Sequence, residues 1–397
     1  MRVLISGGGI AGPALAFWLH RAGAEVTIAE RAAAPRPGGH AVDVRGVARG
    51  VVERMGLREA IRERQVDERG WAMVDARGRR LSGMPADLFG GEGIVAEIEI
   101  ARGDLARILY DATAGDVEWR FGEQVSELTP EGDVFFASGR RERYDVVVGA
   151  DGVRSAVRQL AFGPHSEFVQ PLGAYQAYFS VPDPGDLDNW FEMYNAPGGL
   201  VAGIRPERGG TAKASLTFRT KEVFPRLTKA EQIELIRKKF EKVGWRVPEM
   251  LKAMPDAPDF YFDEISKVTV ETWHRGRAVL LGDAGYCGTP LAGMGTSMSL
   301  VGANVLAGEL ATANTPEEAF AAYQREMAAY VAEGTQLPPG GVEMFAPNGR
   351  LMIRMRAMSM KMMGVWPMKG MLEKQFSKAD AITVKDYVQL RKQMSKG

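Results

Sequence analysis

The sequence predicts an α/β fold in which a doubly wound, mostly parallel sheet carries an inserted antiparallel sheet. Three observations predict it. Residues 2–6 are a short apolar run that ends in glycines, as a buried parallel strand does. A helix-period segment and a second strand follow at once, closing a βαβ unit. From residue 171 the texture changes to short, aromatic, β-rich segments separated by Pro and Gly, the pattern of antiparallel strands.

In 11–22, Leu15, Leu19 and Ala22 share one helix face, and Gly23 is the C-terminal stop. Residues 25–29 read as the second strand, with Glu30 at its end. A loop is expected at 35–39 and a helix at 47–55, closed by Gly56. The stretch 71–82 reads as a hairpin around Asp75-Ala76-Arg77-Gly78. A strand at 93–101, a helix at 104–113 and short strands at 117–121, 124–128 and 133–137 follow. The Val-rich run 144–148 suits a strand buried on both faces. The antiparallel strands are expected at 174–181, 189–194, 199–204 and 212–219. Residues 229–242 form one amphipathic helix, with Thr228 and Glu231 making a capping box. A buried strand is expected at 277–281, and helices at 301–310 and 316–332. Pro338-Pro339-Gly340-Gly341 then breaks the chain. A Met-rich helical tail follows, carrying Met352, Met355, Met358, Met360, Met362, Met363, Met368 and Met371.

Composition narrows the function classes. The 397 residues are enough for two or three domains. With 45% hydrophobic and 25% charged residues, whole-chain disorder is excluded. Lys plus Arg equals Asp plus Glu at 50 each, so no basic field exists to hold nucleic acid or anionic lipid. The single Cys287 excludes an intramolecular disulfide and a cysteine-built zinc site. His20, His40, His165 and His274 are scattered, so no metal centre is expected. Met1-Arg2 leads into a strand and a glycine cluster, not into a signal-peptide core. The uncharged stretches 3–19 and 284–308 are broken by Gly and Pro and read as loops leading into buried helices, not membrane spans. The expectation is a cytoplasmic monomer with no nucleic-acid or membrane partner.

Gly7-x-Gly9-x-x-Gly12 sits between the first strand and the first helix. The first glycine makes the tight turn, the second admits phosphates close to the backbone, and the third packs helix on strand. Ile10 and Ala11 open the helix, whose free N–H groups and positive dipole end suit a diphosphate. The carboxylate of Glu30 is placed to accept from ribose hydroxyls. Together these predict an adenine dinucleotide, either FAD or NAD. A purely structural glycine turn is the other reading.

Two further motifs carry a resemblance. One is Gly149-Ala150-Asp151-Gly152, followed by Ser155 and Arg158. The other is Gly282-Asp283-Ala284, followed by Pro290-x-x-Gly293-x-Gly295. With the glycine loop, they make the chain resemble the class A, single-component FAD-dependent aromatic monooxygenases, para-hydroxybenzoate hydroxylase-like. The pattern is most similar to that of the tetracycline-inactivating monooxygenases. The resemblance covers about residues 1–335.

It implies a Rossmann-like FAD-binding domain of GR2 type, built from 1–70, 99–170 and 267–335. The inserted substrate-binding domain comprises 71–98 and 171–266, and a C-terminal bridging helical tail comprises 336–397. By the same resemblance Asp151 lies near the cofactor diphosphate and Asp283 holds the ribityl chain. Pro290, Gly293, Gly295 and Thr296 face the flavin pyrimidine edge. Arg102 touches FAD from a helix start, and Asp43 and Arg45 run beside the isoalloxazine. Arg31 and Val125 complete the cofactor contacts, and Arg36 is the candidate for NAD(P)H. The family usually has His after Gly-Asp-Ala-Ala and Asn after Gly-x-Gly-x. This chain has Tyr286 and Ser297 instead, which leaves the flavin contacts there open.

The implied activity needs no metal and no assigned catalytic side chain, because the flavin does the chemistry. NADPH or NADH reduces non-covalent FAD, O2 adds at flavin C4a, and the hydroperoxide transfers one oxygen to an aromatic or enolic carbon. Hydroxylation and Baeyer–Villiger insertion both remain open. His40 and Tyr286 are candidates for a general base, each equally readable as a packing residue. The expected substrate is a polycyclic phenol or polyketide, tetracycline-like, bound between the flavin domain and the sheet of 171–266. Gln176, Tyr178, Trp190 and Met193 are the contact candidates, and alternation puts Gln176 and Tyr178 on one face. The Met-rich tail is either an adaptable substrate wall or a bridge between domains. The alternatives are a flavin reductase, dehydrogenase or halogenase on the same fold, or a ligand-sequestering flavoprotein.

Overall fold

The apolar run at the start of the chain forms strand Arg2–Ser6, buried from Val3 onward. A computed structural model, describing residues 1–36, 38–89, 98–362 and 377–387, places it at the centre of a six-stranded sheet. From one edge the order is His274–Arg275, Ala278–Leu280, Val146–Gly149, Arg2–Ser6, Glu25–Glu30 and Glu118–Phe121. All pairings are parallel except the first, a short hairpin. The register sets Ser6 beside both Gly149 and Ala29, and Gly149 beside Leu280. Four chain segments separated in sequence therefore end at one carboxyl edge, where ligands of open parallel sheets bind.

Helix Ala11–Arg21 packs against the long helix Gly295–Thr312, which also meets Pro316–Gly334. Gly295–Thr312 starts earlier than the expected 301–310 because its first turns are Gly, Thr and Ser. These are weak helix formers, and burial from residue 297 through 310 overrides propensity there. Of the strand expected at 93–101, the described part is Glu99–Ala101, which pairs with Ala41–Asp43. Residues 93–97, like Pro37 of the 35–39 loop, lie outside the described residues.

The second sheet has eight strands. In order they are Tyr286–Cys287, Tyr261–Thr269, Val169–Pro182, Thr211–Arg219, Leu200–Pro206, Trp190–Ala196, Gly70–Val74 and Arg80–Pro85. The pairing is antiparallel except between Trp190–Ala196 and Gly70–Val74. Strand Tyr261–Thr269 was not expected, since Asp263 and Glu264 interrupt its apolar alternation. On the outer face Tyr175, Phe179, Leu216 and Phe218 pack with Ile233, Ile236 and Phe240 of helix Lys229–Phe240. The capping box at Thr228 and Glu231 forms as its spacing predicts. The inner face looks toward the carboxyl edge of the parallel sheet.

Helix Arg350–Met362 buries Ala357 and Met360 against Trp71, Met73, Met84 and Met193. Leu351, Met355, Met358 and Met362 point to solvent. Of the tail methionines among the described residues, only Met360 is buried against the sheet. Met363, Met368 and Met371 lie outside the described residues. No described helix is long and apolar enough to cross a membrane, and no described His, Cys, Asp and Glu cluster can hold a metal.

Candidate active site

The glycine loop leaves the central strand with no room for side chains. Gly7 has φ of +116°, and a Cβ there would lie 2.4 Å from the Ala150 carbonyl oxygen. A Cβ on Gly12 would lie 2.0 Å from the Gly7 oxygen. A Cβ on Gly9 would meet the Arg102 guanidinium at 3.3 Å, so the loop's middle faces that cation. Ile10 caps helix Ala11–Arg21 with no side-chain bond, and no acid stands in the first turn. The N–H groups there are left for an anion.

Glu30 accepts from the N–H of Gly8 at 2.8 Å and of Ala32 at 2.9 Å, and pairs with Arg36 at 3.2 Å. Burial alone would raise its carboxyl, but these donors hold it below the usual range. Arg36 thus stands at the Glu30 end of the loop, with Arg31 exposed nearby. Val125 is a core residue of strand Val125–Leu128.

The second and third motifs are tied together by a buried cation. Asp151 accepts from the Ala156 N–H at 2.8 Å and from the Ser6 hydroxyl at 3.2 Å. Its other oxygen is buried without a partner, and burial raises its carboxyl. Arg158, 0% exposed, donates to the carbonyls of Ala284 at 2.7 Å and Val153 at 2.5 Å. It thereby fastens the Asp151 loop to the turn Gly282–Ala284 that presents Asp283. Burial raises the Asp283 carboxyl, against the Cys287 thiol and the Arg102 charge. Beyond the turn Pro290–Ala292, Gly293 adopts the left-handed conformation and helix Gly295–Thr312 begins. Its start also lacks a side-chain cap and an acid, so Gly295 and Thr296 open a second positive helix end.

Segment 40–45 runs across this edge. Buried Arg45 pairs with Asp43 at 2.8 Å, and its backbone N–H donates to Ser297 Oγ at 2.9 Å. The unusual Ser297 therefore fastens segment 43–45 to the helix start. Tyr286, the other departure, turns into the core, where its hydroxyl meets that of Tyr323 at 2.7 Å and its ring packs on Trp273. His40 stacks on Tyr178 with ring centroids 4.8 Å apart. Burial, with Arg102, Arg205 and Lys213 nearby, pushes the His40 imidazole down to about 3.

A histidine held neutral has a stability signature. Between about 3 and its ordinary 6.5, the unfolded chain binds a proton that the folded chain does not, so stability falls as pH falls through that window. His40→Asn should flatten this loss. Denaturant midpoints compared at pH 7 and pH 5 should drop further in the wild type than in the variant, and equal drops would contradict the neutral imidazole.

On the inner sheet face, register lines up Tyr178, Ser215, Gly203 and Met193 across four strands. Gln176 lies on the same face as Tyr178, two residues earlier, and forms no side-chain hydrogen bond among the described residues. Trp190 does not join them. It lies on the opposite face, against Gly70, with Arg80 4.0 Å from its ring centre. Strand parity fixes this separation from Met193, three residues on.

Sequence reasoning missed the buried charges of this face. Arg205 pairs with Glu68 at 2.6 Å and with Glu99, and Lys213 pairs with Asp259. Burial raises the Glu99 carboxyl well above the usual range despite Arg205, with Glu68 adding to the rise. Alternation from Gly203 would have put Arg205 on the inner face, but its partners come from distant elements.

The residues present fit a long ligand with a diphosphate at its middle. Two uncapped helix ends, the clefts at Gly7 and Gly12, and the unpartnered Asp151 oxygen lie along one edge, with Glu30 at one end and Asp283 at the other.

A family model described as FAD binding domain matches residues 1–337. An uncharacterized protein of Mycobacterium tuberculosis (strain ATCC 25618 / H37Rv) is 42% identical over 351 residues, covering 85% of this chain and 94% of that protein. A flavin-dependent monooxygenase of Legionella longbeachae serogroup 1 (strain NSW150) is 35% identical over 336 residues, covering 83% of this chain and 86% of that one. The crystal structure of tetracycline destructase Tet(51) superposes with a TM-score of 0.80 at 31% identity, covering 97% of this chain and 99% of that one.

Proposed function

This chain belongs to the FAD-binding-domain family of flavin-dependent monooxygenases, and from that premise we propose that it oxygenates a polycyclic phenol or enol with NAD(P)H as reductant. FAD, when bound, would supply the redox chemistry between the nicotinamide and dioxygen. The chain's own residues bind, orient and exclude water. The loop Gly7–Gly12 and its helix end take the diphosphate, Glu30 takes the adenosine ribose, and Asp283 takes the ribityl chain. Arg45 and Ser297 keep segment 43–45 against the helix start, where the ring would lie. His40 and Tyr178 wall the substrate side as a neutral stacked pair.

The observation that carries the substrate class is the row Tyr178, Ser215, Gly203 and Met193. It spans three inter-strand spacings, about 14 Å, its two central residues are Ser and Gly, and the Phe191 ring borders the Gly203 position. Such a floor suits a flat, fused-ring molecule better than a single ring. The tetracycline destructase at 31% identity supports the same class. The single, buried, free cysteine supports a place in the reducing cytoplasm.

The test is anaerobic reduction of the FAD-loaded enzyme by NADPH and by NADH, with and without a panel of polycyclic phenols. We expect one class of phenol to accelerate flavin bleaching and, on admission of air, to gain one oxygen atom. Reduction that no phenol accelerates, with no oxygenated product, would assign the chain to the reductases instead.

A further inference from the structure

The C-terminal helix carries a cation that the proposed reaction leaves unused. Arg356 lies between helix Arg350–Met362 and the inner sheet face, its guanidinium carbon 5.7 Å from the centre of the Trp71 ring and 5.4 Å from that of Phe345. One terminal nitrogen donates to Asn195 Oδ1 at 2.9 Å and to the Phe345 carbonyl. The other reaches only the Met193 sulfur, at 3.6 Å, a weak acceptor.

The other cations of this face have carboxylates. Arg205 has Glu68 and Glu99, and Lys213 has Asp259. Arg356 has no carboxylate partner among the described residues, and burial alone pushes its guanidinium down to about 10. A half-buried cation without a counter-charge is left undercompensated, and a bound anion would supply what it lacks. Its underused edge is the one turned to Met193, the residue that ends the floor opposite Tyr178.

We propose that Arg356 binds the ionised oxygen of the substrate, an enolate or phenolate, and so selects acidic phenols and enols over neutral aromatics. The inference rests on the inner sheet face being the substrate site. A guanidinium edge presents two N–H groups in a plane, matching a phenolate flanked by a carbonyl or a second hydroxyl. Anchoring the oxygen as an anion keeps electron density in the ring and fixes which end of the molecule lies at the helix. A guanidinium that only clipped the helix to the sheet would need no more than the bonds to Asn195 and Phe345.

The test uses alizarin, whose colour reports its ionisation, and its dimethyl ether, which cannot ionise. Both are titrated into the FAD-loaded wild type and into Arg356→Met and Arg356→Lys. We expect the wild type to bind alizarin in the ionised form and in preference to the ether. Arg356→Met should weaken alizarin binding about thirty-fold, the loss of one charged hydrogen-bonding partner, while leaving the ether within about two-fold. Arg356→Lys should fall between and keep the bound dye ionised, which covers the case in which the methionine variant does not fold.

Equal binding of the ionised dye by wild type and Arg356→Met overturns the proposal, as does failure of the wild type to prefer alizarin to the ether. If dye and ether bind alike and both accelerate flavin reduction, the anion site falls and the polycyclic substrate reading stands. If neither binds and no phenol accelerates reduction, both fall.

Discussion

Gly12→Ala is expected to destabilise the apo protein by about 3 kcal/mol and to abolish FAD retention. Gly12 is not one of the residues at positive φ, so backbone strain is not the reason. The reason is space. The added Cβ would sit 2.0 Å from the Gly7 oxygen and 3.1 Å from Ile5 Cγ2. Backbone oxygen cannot rotate aside as a side chain does, so helix Ala11–Arg21 must lift from strand Arg2–Ser6. That shift takes the helix end away from the loop and opens the interface with Gly295–Thr312. Gly50→Ala is the control. Its Cβ would meet only the end of the Arg54 side chain at 3.6 Å, so alanine in that helix should stabilise by roughly 0.5–1 kcal/mol. Urea unfolding of the two apo variants, with flavin content after gel filtration, measures both effects. A Gly12→Ala protein of wild-type stability that keeps its flavin would overturn the packing argument.

Asp283→Ala should separate binding from folding. Burial raises the Asp283 carboxyl, so in the apo protein this group is a liability. Removing it should leave the apo melting temperature unchanged or raised. FAD affinity should fall roughly thirty-fold, as when a charged hydrogen-bond partner of about 2 kcal/mol is lost. Fluorescence titration of the apo variant with FAD checks this. Unchanged affinity would move the ribityl contact away from Asp283. The two variants thus differ in kind, one losing fold and flavin together and the other flavin alone.

The legible part of the site is local. Gly7, Gly9, Gly12 and Glu30 lie within one βαβ unit, where spacing along the chain maps directly onto space. The capping box at Thr228 and Glu231 is legible for the same reason. Asp151 and Asp283 were reached only through resemblance, since nothing near either residue says that the two strand ends lie side by side, Gly149 beside Leu280. Arg158 stood in the quoted motif, but its role as the clamp on Ala284 depends on a partner 126 residues away.

The substrate face divides in the same way. Alternation alone grouped Gln176 with Tyr178 and separates Trp190 from Met193. Which side faces the cofactor edge was decided by the stacking of His40 on Tyr178 and by the packing of Phe179 and Phe218 against helix Lys229–Phe240. The pairing of Arg205 with Glu68 and Glu99, and the absence of a described carboxylate partner for Arg356, belong to tertiary structure entirely. A charged side chain gives no sign in sequence of whether its counter-charge lies across a domain or must arrive with a ligand.

By itself the sequence determined the α/β class, the dinucleotide loop and its helix end, and most strands of the inserted sheet, Tyr261–Thr269 and Tyr286–Cys287 excepted, because each depends on neighbours within a turn or a strand. Only the tertiary structure decided which motif ends share an edge, which sheet face is the floor, and that Arg356 at that face lacks a carboxylate partner among the described residues. Those outcomes depend on register and burial between segments more than a hundred residues apart, and no local pattern encodes them.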